Sequence, residues 1–196
     1  EHNHRPLWVA TYYGGLNLFD RKTQKFTRVE SDDQHLTHLM GNNFVSICQD
    51  KNGNLWFGTD DGGLNCLERK TQKFVNHFVN EEKMPDVRVL FVDSKGRLWV
   101  GQAGLYLYEE ASRSFGLYPG QAALSQEFIK GICEDQEGNF WISTSNGLTR
   151  FHPQTKSIKK FNTADGLQGL EFEANAYLRS RSGQLFFGGV NGFNSF

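Results

Sequence analysis

The chain has little that would take it to nucleic acid, a bilayer or a metal. Its 21 Lys and Arg against 22 Asp and Glu leave a formal charge of −1. No basic field exists to hold a phosphate backbone, which excludes general nucleic-acid binding. The longest apolar runs are a few residues, so no segment is long enough to span a bilayer as a helix. No charged-then-apolar segment opens the chain, and any export signal or membrane anchor is expected outside this sequence. The three cysteines, Cys48, Cys66 and Cys133, are odd in number and lack CxxC spacing. They make neither a disulfide framework nor a zinc site and are expected as free thiols buried in strands. They do not fix a redox compartment. Proline is also scarce, at 4 residues, whereas Gly reaches 21 and Phe 17, with 4 Trp. Many turns and many large aromatics point to short β-strands. At 196 residues the chain is long enough for a real core; a compact domain of this size removes roughly 70% of its unfolded surface from water.

The dominant signal is internal repetition. Leu7-Trp8-Val9, Leu55-Trp56-Phe57, Leu98-Trp99-Val100, Phe140-Trp141-Ile142 and Leu185-Phe186-Phe187 align, with central aromatics 48, 43, 42 and 45 residues apart. Asp50, Asp93 and Asp135 each stand six residues before a Trp, and Gly53, Gly96 and Gly138 three residues after those aspartates. In the last copy Gly183 holds the glycine place and Ser180 replaces the aspartate. A Gly-Leu or Gly-Phe pair follows each aromatic: Gly15-Leu16, Gly63-Leu64, Gly104-Leu105, Gly147-Leu148 and Gly192-Phe193.

Each unit reads as four short strands. An apolar first strand leads through an Asp-x-x-Gly turn to the Trp strand, and two further turns lead to the third and fourth. Strands this short, joined by turns this tight, form an antiparallel meander. A period of 42–48 residues with four strands per unit is that of a β-propeller blade. The expected fold is therefore all-β, an open arc of three complete and two partial four-stranded blades. The blades are placed at about 1–35 (partial), 43–82, 86–120, 128–163 and 170–196 (partial). Trp8, Trp56, Trp99, Trp141 and Phe186 are expected to pack between neighbouring blades; stacking on a sugar is the weaker alternative. Unpaired blade faces favour association with missing blades or with another copy, a homodimer included.

The run Phe44 to Leu64 (FVSICQDKNGNLWFGTDDGGL) resembles the two-component regulator propeller repeat. Residues 162–196, with Asp165-Gly166-Leu167, Glu171-Phe172 and Phe187-Gly188-Gly189-Val190-Asn191-Gly192-Phe193, resemble the last blade of that family's sensor region. The resemblance implies a periplasmic sensor of a hybrid histidine kinase that responds to oligosaccharides. It also implies contact with the membrane only through the parent protein, with no cofactor and no catalysis in this part. Two other classes stay open. A propeller lyase, of the streptogramin or polysaccharide kind, would need a His or Tyr base and usually a metal on the channel face. A protein-interaction scaffold is the other.

The turns between second and third strands are the candidate binding residues: Tyr12-Tyr13-Gly14, Asp60-Asp61-Gly62, Gln102-Ala103, Ser145-Asn146 and Val190-Asn191. They vary while the scaffold repeats, and in a propeller they share one face at the channel mouth. Aromatic rings suit the apolar face of a sugar, and Asp, Asn, Gln and Ser suit its hydroxyls. Tyr12, Tyr13, Asp60, Asp61, Gln102, Ser145, Asn146 and Asn191 are thus the expected ligand contacts. The Asp-x-x-Gly turns lack the carboxylates of a calcium loop and read as side-chain-capped turns. His35 and His38 share a loop but have no third ligand nearby; solvated loop residues are the plainer reading. Glu171 and Glu173 lie two apart and so share a strand face; their place in the resemblance implies a structural or rim role over acid–base catalysis.

Overall fold

The computed structural model describes residues 6–29, 39–77, 86–120, 124 and 127–196. The described chain is all-β, five antiparallel sheets of the kind that make propeller blades. The first sheet holds β1 (Leu7–Thr11), β2 (Gly15–Asp20) and β3 (Lys25–Val29). The second holds β4 (Phe44–Gln49), β5 (Leu55–Thr59), β6 (Leu64–Leu67) and β7 (Phe74–His77). The third is β8 (Val89–Val92), β9 (Leu98–Gln102), β10 (Gly104–Glu109) and β11 (Ser114–Leu117). The fourth is β12 (Ile129–Glu134), β13 (Phe140–Thr144), β14 (Gly147–Phe151) and β15 (Ile158–Phe161). The last is β16 (Phe172–Arg179), β17 (Leu185–Gly189) and β18 (Gly192–Ser195). Strands follow one another in sequence order within every sheet, so each is a meander. Among the described residues three sheets have four strands and two have three.

The turns explain the repeat. After β4, Asp50 Oδ1 accepts the amides of Asn52 and Asn54, and its carbonyl accepts the Gly53 amide. Gly53 sits at φ +81°, a left-handed conformation that glycine adopts without penalty. The third-to-fourth-strand turns do without glycine. Gln24, Gln72, Arg113 and Lys156 occupy them at φ between 54° and 59°. Each such left-handed residue costs roughly 1–2 kcal/mol. In three of them a backbone bond closes the turn, as from Gln24 N to the Asp20 carbonyl at 2.8 Å.

The chain divides into two compact units, 1–90 and 91–196. In the first, Leu16, Phe44, Phe57, Leu67 and Phe74 form the core, and Trp8 packs on Phe57 and Phe74 at ring distances of 5.5 and 6.3 Å. Gly58 on β5 allows close approach here, because an added Cβ would lie 2.1 Å from the Val87 carbonyl oxygen. In the second unit, Cys133, Leu148, Phe172, Leu185 and Phe187 form one cluster. Trp99 packs edge-on to Phe140 of the next sheet at 5.1 Å. Glu134, nearly buried, accepts the Ser94 amide and hydroxyl at 2.6 and 2.8 Å and ties the third sheet to the fourth.

The aromatic stripe is less uniform than the repeat predicts. Trp56 and Trp99 are buried, whereas Trp8, Trp141 and Phe186 are half-buried. Trp8 lies on β1, which among the described residues is an edge strand of its sheet. Trp141 is capped by Phe161 and Phe196 at 5.2 and 4.4 Å. Phe186, in the last sheet, meets Phe193, which is itself 66% exposed. Phenylalanines, more than other indoles, fill the space beside these rings.

Candidate functional site

In the first unit, the β1–β2 turn brings two tyrosines to the surface, Tyr12 54% and Tyr13 76% exposed. Their rings meet edge-on at 4.3 Å. Tyr13 is left-handed at φ 63°, an unusual state for a bulky side chain. It is held there by its amide, which donates to Asn43 Oδ1 at 3.0 Å. Thr11 Oγ1 closes the turn onto the Gly15 carbonyl at 2.8 Å.

The β5–β6 turn supplies Asp60 and Asp61, which do different work. Asp61 Oδ1 and Oδ2 accept the Asn42 amide, and Oδ1 accepts the Asn43 amide, at 3.0–3.2 Å. Gly62 packs so tightly on Gly41 that an added Cβ would stand 2.2 Å from its nitrogen. Asp61 therefore docks the segment before β4 onto the turn. Asp60 faces the tyrosines. Hydrogen bonds with Tyr13 and then with Asp60, together with the Asp60 charge, push the Tyr12 hydroxyl up to about 12. Arg88 Nη2 lies 3.7 Å from Asp60 Oδ2, and Arg88 Nε donates to both oxygens of Asp86 at 2.9 Å. The Asp60 side chain is only 8% exposed, and its Oδ1 is buried with no hydrogen-bond partner. An unfilled buried acceptor of this kind costs about 1–3 kcal/mol.

Beside this cluster a cavity of about 430 Å³ is lined by Gly15, Arg28, Gly41, Asn42 and neighbouring apolar residues. Its volume falls in the range of small-molecule sites. Tyr12, Tyr13 and Asp60 are among the turn residues expected at a site from sequence; Asn43, Asp86 and Arg88 are not. The signal was there: Asp86 and Arg88 bracket Val87, where the second sheet has Asn43 and Val45 about Phe44.

In the second unit, Gln102 is half-buried at the β9–β10 turn, and Ala103 bridges to Phe128. Ser145 and Asn146 are exposed, with the Asn146 amide donating to Thr144 Oγ1 at 2.9 Å. Gly147 N bonds the Leu170 carbonyl at 2.7 Å, and Val190 N the Glu171 carbonyl at 3.4 Å. Asn191 N donates to Gln168 Oε1 at 2.9 Å. The segment 162–171 thus ties down both turns. It begins with a 3₁₀ turn, Thr163–Asp165, capped reciprocally by Asn162 and Asp165. Glu171 and Glu173 are exposed on either side of buried Phe172. His35 and His38 lie outside the described residues.

All three cysteines are free thiols, Cys66 and Cys133 buried and Cys48 half-buried. Cys48 and Cys66 flank Trp56 on the two strands beside β5, so they stand two strand spacings apart, about 9.5 Å. That is beyond disulfide reach. Burial pushes the Cys48 and Cys133 thiols up to about 12. Among the described residues no group of three or more His, Cys, Asp or Glu is placed to hold a metal ion, and no helix is long and apolar enough to cross a membrane.

Comparison with known proteins agrees with the repeat. Residues 38–61 and 123–146 match the two-component regulator propeller family. A histidine kinase, P4, of Formosa agariphila is 24% identical over 212 residues, covering 99% of this chain and 15% of the relative. The extracellular domain of a proposed one-component system from B. thetaiotaomicron superposes with a TM-score of 0.80 at 19% identity, over 98% of this chain and 26% of that one. The extracellular domain of a proposed hybrid two-component system from the same organism gives 0.76 at 22% identity, with the same coverage. The chain therefore spans about a quarter of these structures, and 15% of the kinase.

Proposed function

We propose that this chain, a run of two-component regulator propeller repeats, is part of the periplasmic ligand-sensing propeller of a hybrid two-component kinase, and that its ligand is an oligosaccharide. The observation that supports it most is the Tyr12–Tyr13–Asp60 cluster, whose Asp60 lies in a repeat, residues 38–61, that matches that family. Two exposed rings offer stacking surface for the apolar face of a sugar, and the carboxylates and Asn43 offer hydrogen-bond acceptors. The cavity beside them gives room for the ligand.

Signalling in this reading is a population shift. The saccharide binds one arrangement of the propeller and its partner copy more tightly than another, and the distant kinase follows that bias. The remaining blades of the parent propeller are the nearest partners. Isothermal calorimetry of the full-length protein against plant, host and microbial oligosaccharides tests this. Saturable binding that Tyr13→Ala weakens at least tenfold is the expected result; no binding across the panel overturns it.

A further inference from the structure

From the polar groups at this site we infer that the Tyr12–Tyr13–Asp60 cluster selects neutral, hydroxyl-donating saccharides and turns away uronic-acid and sulfated ones. The inference rests on the saccharide reading and adds the ligand's chemical class. The cluster is short of a donor and has no donor to spare. Asp60 Oδ1 is a buried acceptor without a partner. Arg88 already gives Nε to both oxygens of Asp86 and turns Nη2 toward Asp60. An acidic ligand would have to compete with two resident carboxylates for that guanidinium.

The local charge points the same way. Among the described residues, Asp60, Asp61 and Asp86 oppose Arg88 at the turns and Arg28 on the wall of the adjoining cavity, an excess of one negative charge. Coulomb repulsion in a partly buried site is weakly screened, so a further carboxylate or sulfate is disfavoured. A sugar hydroxyl carries a proton and no charge. Entering beside Tyr12, which is more than half exposed, it supplies the missing bond to Asp60. The Tyr12 hydroxyl keeps its proton under the same field, and its bonds with Tyr13 and Asp60 leave it no free donor for an acid.

The test is calorimetry of the full-length protein with matched pairs that differ in the acid: galacto-oligosaccharides against oligogalacturonides, manno-oligosaccharides against oligomannuronides, and xylo-oligosaccharides against their glucuronate-substituted forms. In at least one pair the neutral member should bind at least tenfold tighter, and Asp60→Asn should weaken it while narrowing the gap. Tyr13→Ala, at an exposed position, serves as the second variant, and thermal unfolding of both variants checks that they fold. Equal or tighter binding of the acidic members, lost on Arg28→Ala, overturns the neutral preference and leaves the saccharide reading standing. Binding that neither Asp60→Asn nor Tyr13→Ala changes, with both variants folded, overturns the placement at this cluster. Failure of every saccharide overturns the saccharide reading itself.

Discussion

The indole nitrogen of Trp56 donates to Oδ2 of Asp50 at 2.8 Å, across six residues of chain. The same bond joins Trp99 to Asp93 at 3.0 Å and Trp141 to Asp135 at 2.8 Å. This accounts for the fixed spacing of the repeat. One carboxylate closes the turn with one oxygen and anchors the indole of the next strand with the other. The glycine between them supplies the left-handed residue that brings the two strands back together.

Loss of such a carboxylate should be costly where it is buried. The Asp93 side chain is fully buried and also holds Arg97 Nε at 2.7 Å. Asp93→Ala strands the indole N–H, two backbone amides and a guanidinium, and should lower stability by about 3 kcal/mol. Asp20 also caps a turn, accepting the Lys22 and Thr23 amides, but it is exposed. Asp20→Ala should lower stability by about 1 kcal/mol or less. Urea unfolding of the two variants checks this, and equal losses would contradict the anchoring role.

Acid should loosen the same turns. Burial alone would raise the Asp135 carboxyl, but hydrogen bonds from Asn139 and Trp141 side chains and from the Asn139 and Glu137 amides outweigh it and hold it below the ordinary aspartate value. A depressed folded pKa means the unfolded chain binds the proton more readily. The stabilisation is whole above the unfolded value of about 3.9 and is lost as pH falls through the lower, folded one. Asp135→Asn should therefore flatten the stability profile below about pH 4. It should also lower stability at neutral pH, where the charged acceptor is missing. Thermal unfolding from pH 3 to pH 7 reads both effects.

Glycines on strands separate in the same way. At Gly58 an added methyl would sit 2.1 Å from the Val87 carbonyl oxygen and 2.3 Å from Ser46 Oγ, and backbone on one side leaves little room to yield. Ser46 Oγ and Thr59 O also bond Val87, so the clash falls where the segment before β8 docks on the second sheet. Gly58→Ala should lower stability by about 1–3 kcal/mol. Gly116, on β11, has nothing within 4 Å of the same methyl. Gly116→Ala should be neutral or stabilising, by up to about 1 kcal/mol through the unfolded state. Denaturant midpoints of the two variants give the comparison.

The scaffold was far more legible in the sequence than the site. Asp50, Gly53 and Trp56 recur at constant spacing because one local geometry demands all three, and local geometry is what spacing records. No glycine marks the left-handed turns at Gln24, Gln72, Arg113 and Lys156; the repeated run Arg-Lys-Thr-Gln-Lys at 21–25 and 69–73 signals the first two, and the other two have no such mark. The site was half legible. Tyr12, Tyr13 and Asp60 stand out as departures from the repeat. Asn43, Asp86 and Arg88 reach the same place from chain segments entering other strands, a convergence that pairing and docking create and linear order hides. The half-exposure of Trp8 and Phe186 was hidden for a related reason, since burial depends on which strands and sheets stand alongside.

The Tyr12 hydroxyl offers a direct probe of the cluster. Its hydrogen bond with Tyr13 comes first among the causes that push it up to about 12, and the bond and charge of Asp60 follow. Both favour the protonated form, so removing either partner should bring the value down toward the ordinary tyrosine range near 10. Tyr13→Phe deletes the hydroxyl partner and keeps the ring contact; Asp60→Asn removes the charge and keeps the shape. Ultraviolet difference titration at alkaline pH, each protein against its own Tyr12→Phe counterpart, isolates this one group among the 6 tyrosines. A downward shift in both variants, larger in Tyr13→Phe, is the expected outcome. A titration unmoved by Asp60→Asn would mean that the carboxylate does not act on Tyr12, and the two would no longer stand as one binding group.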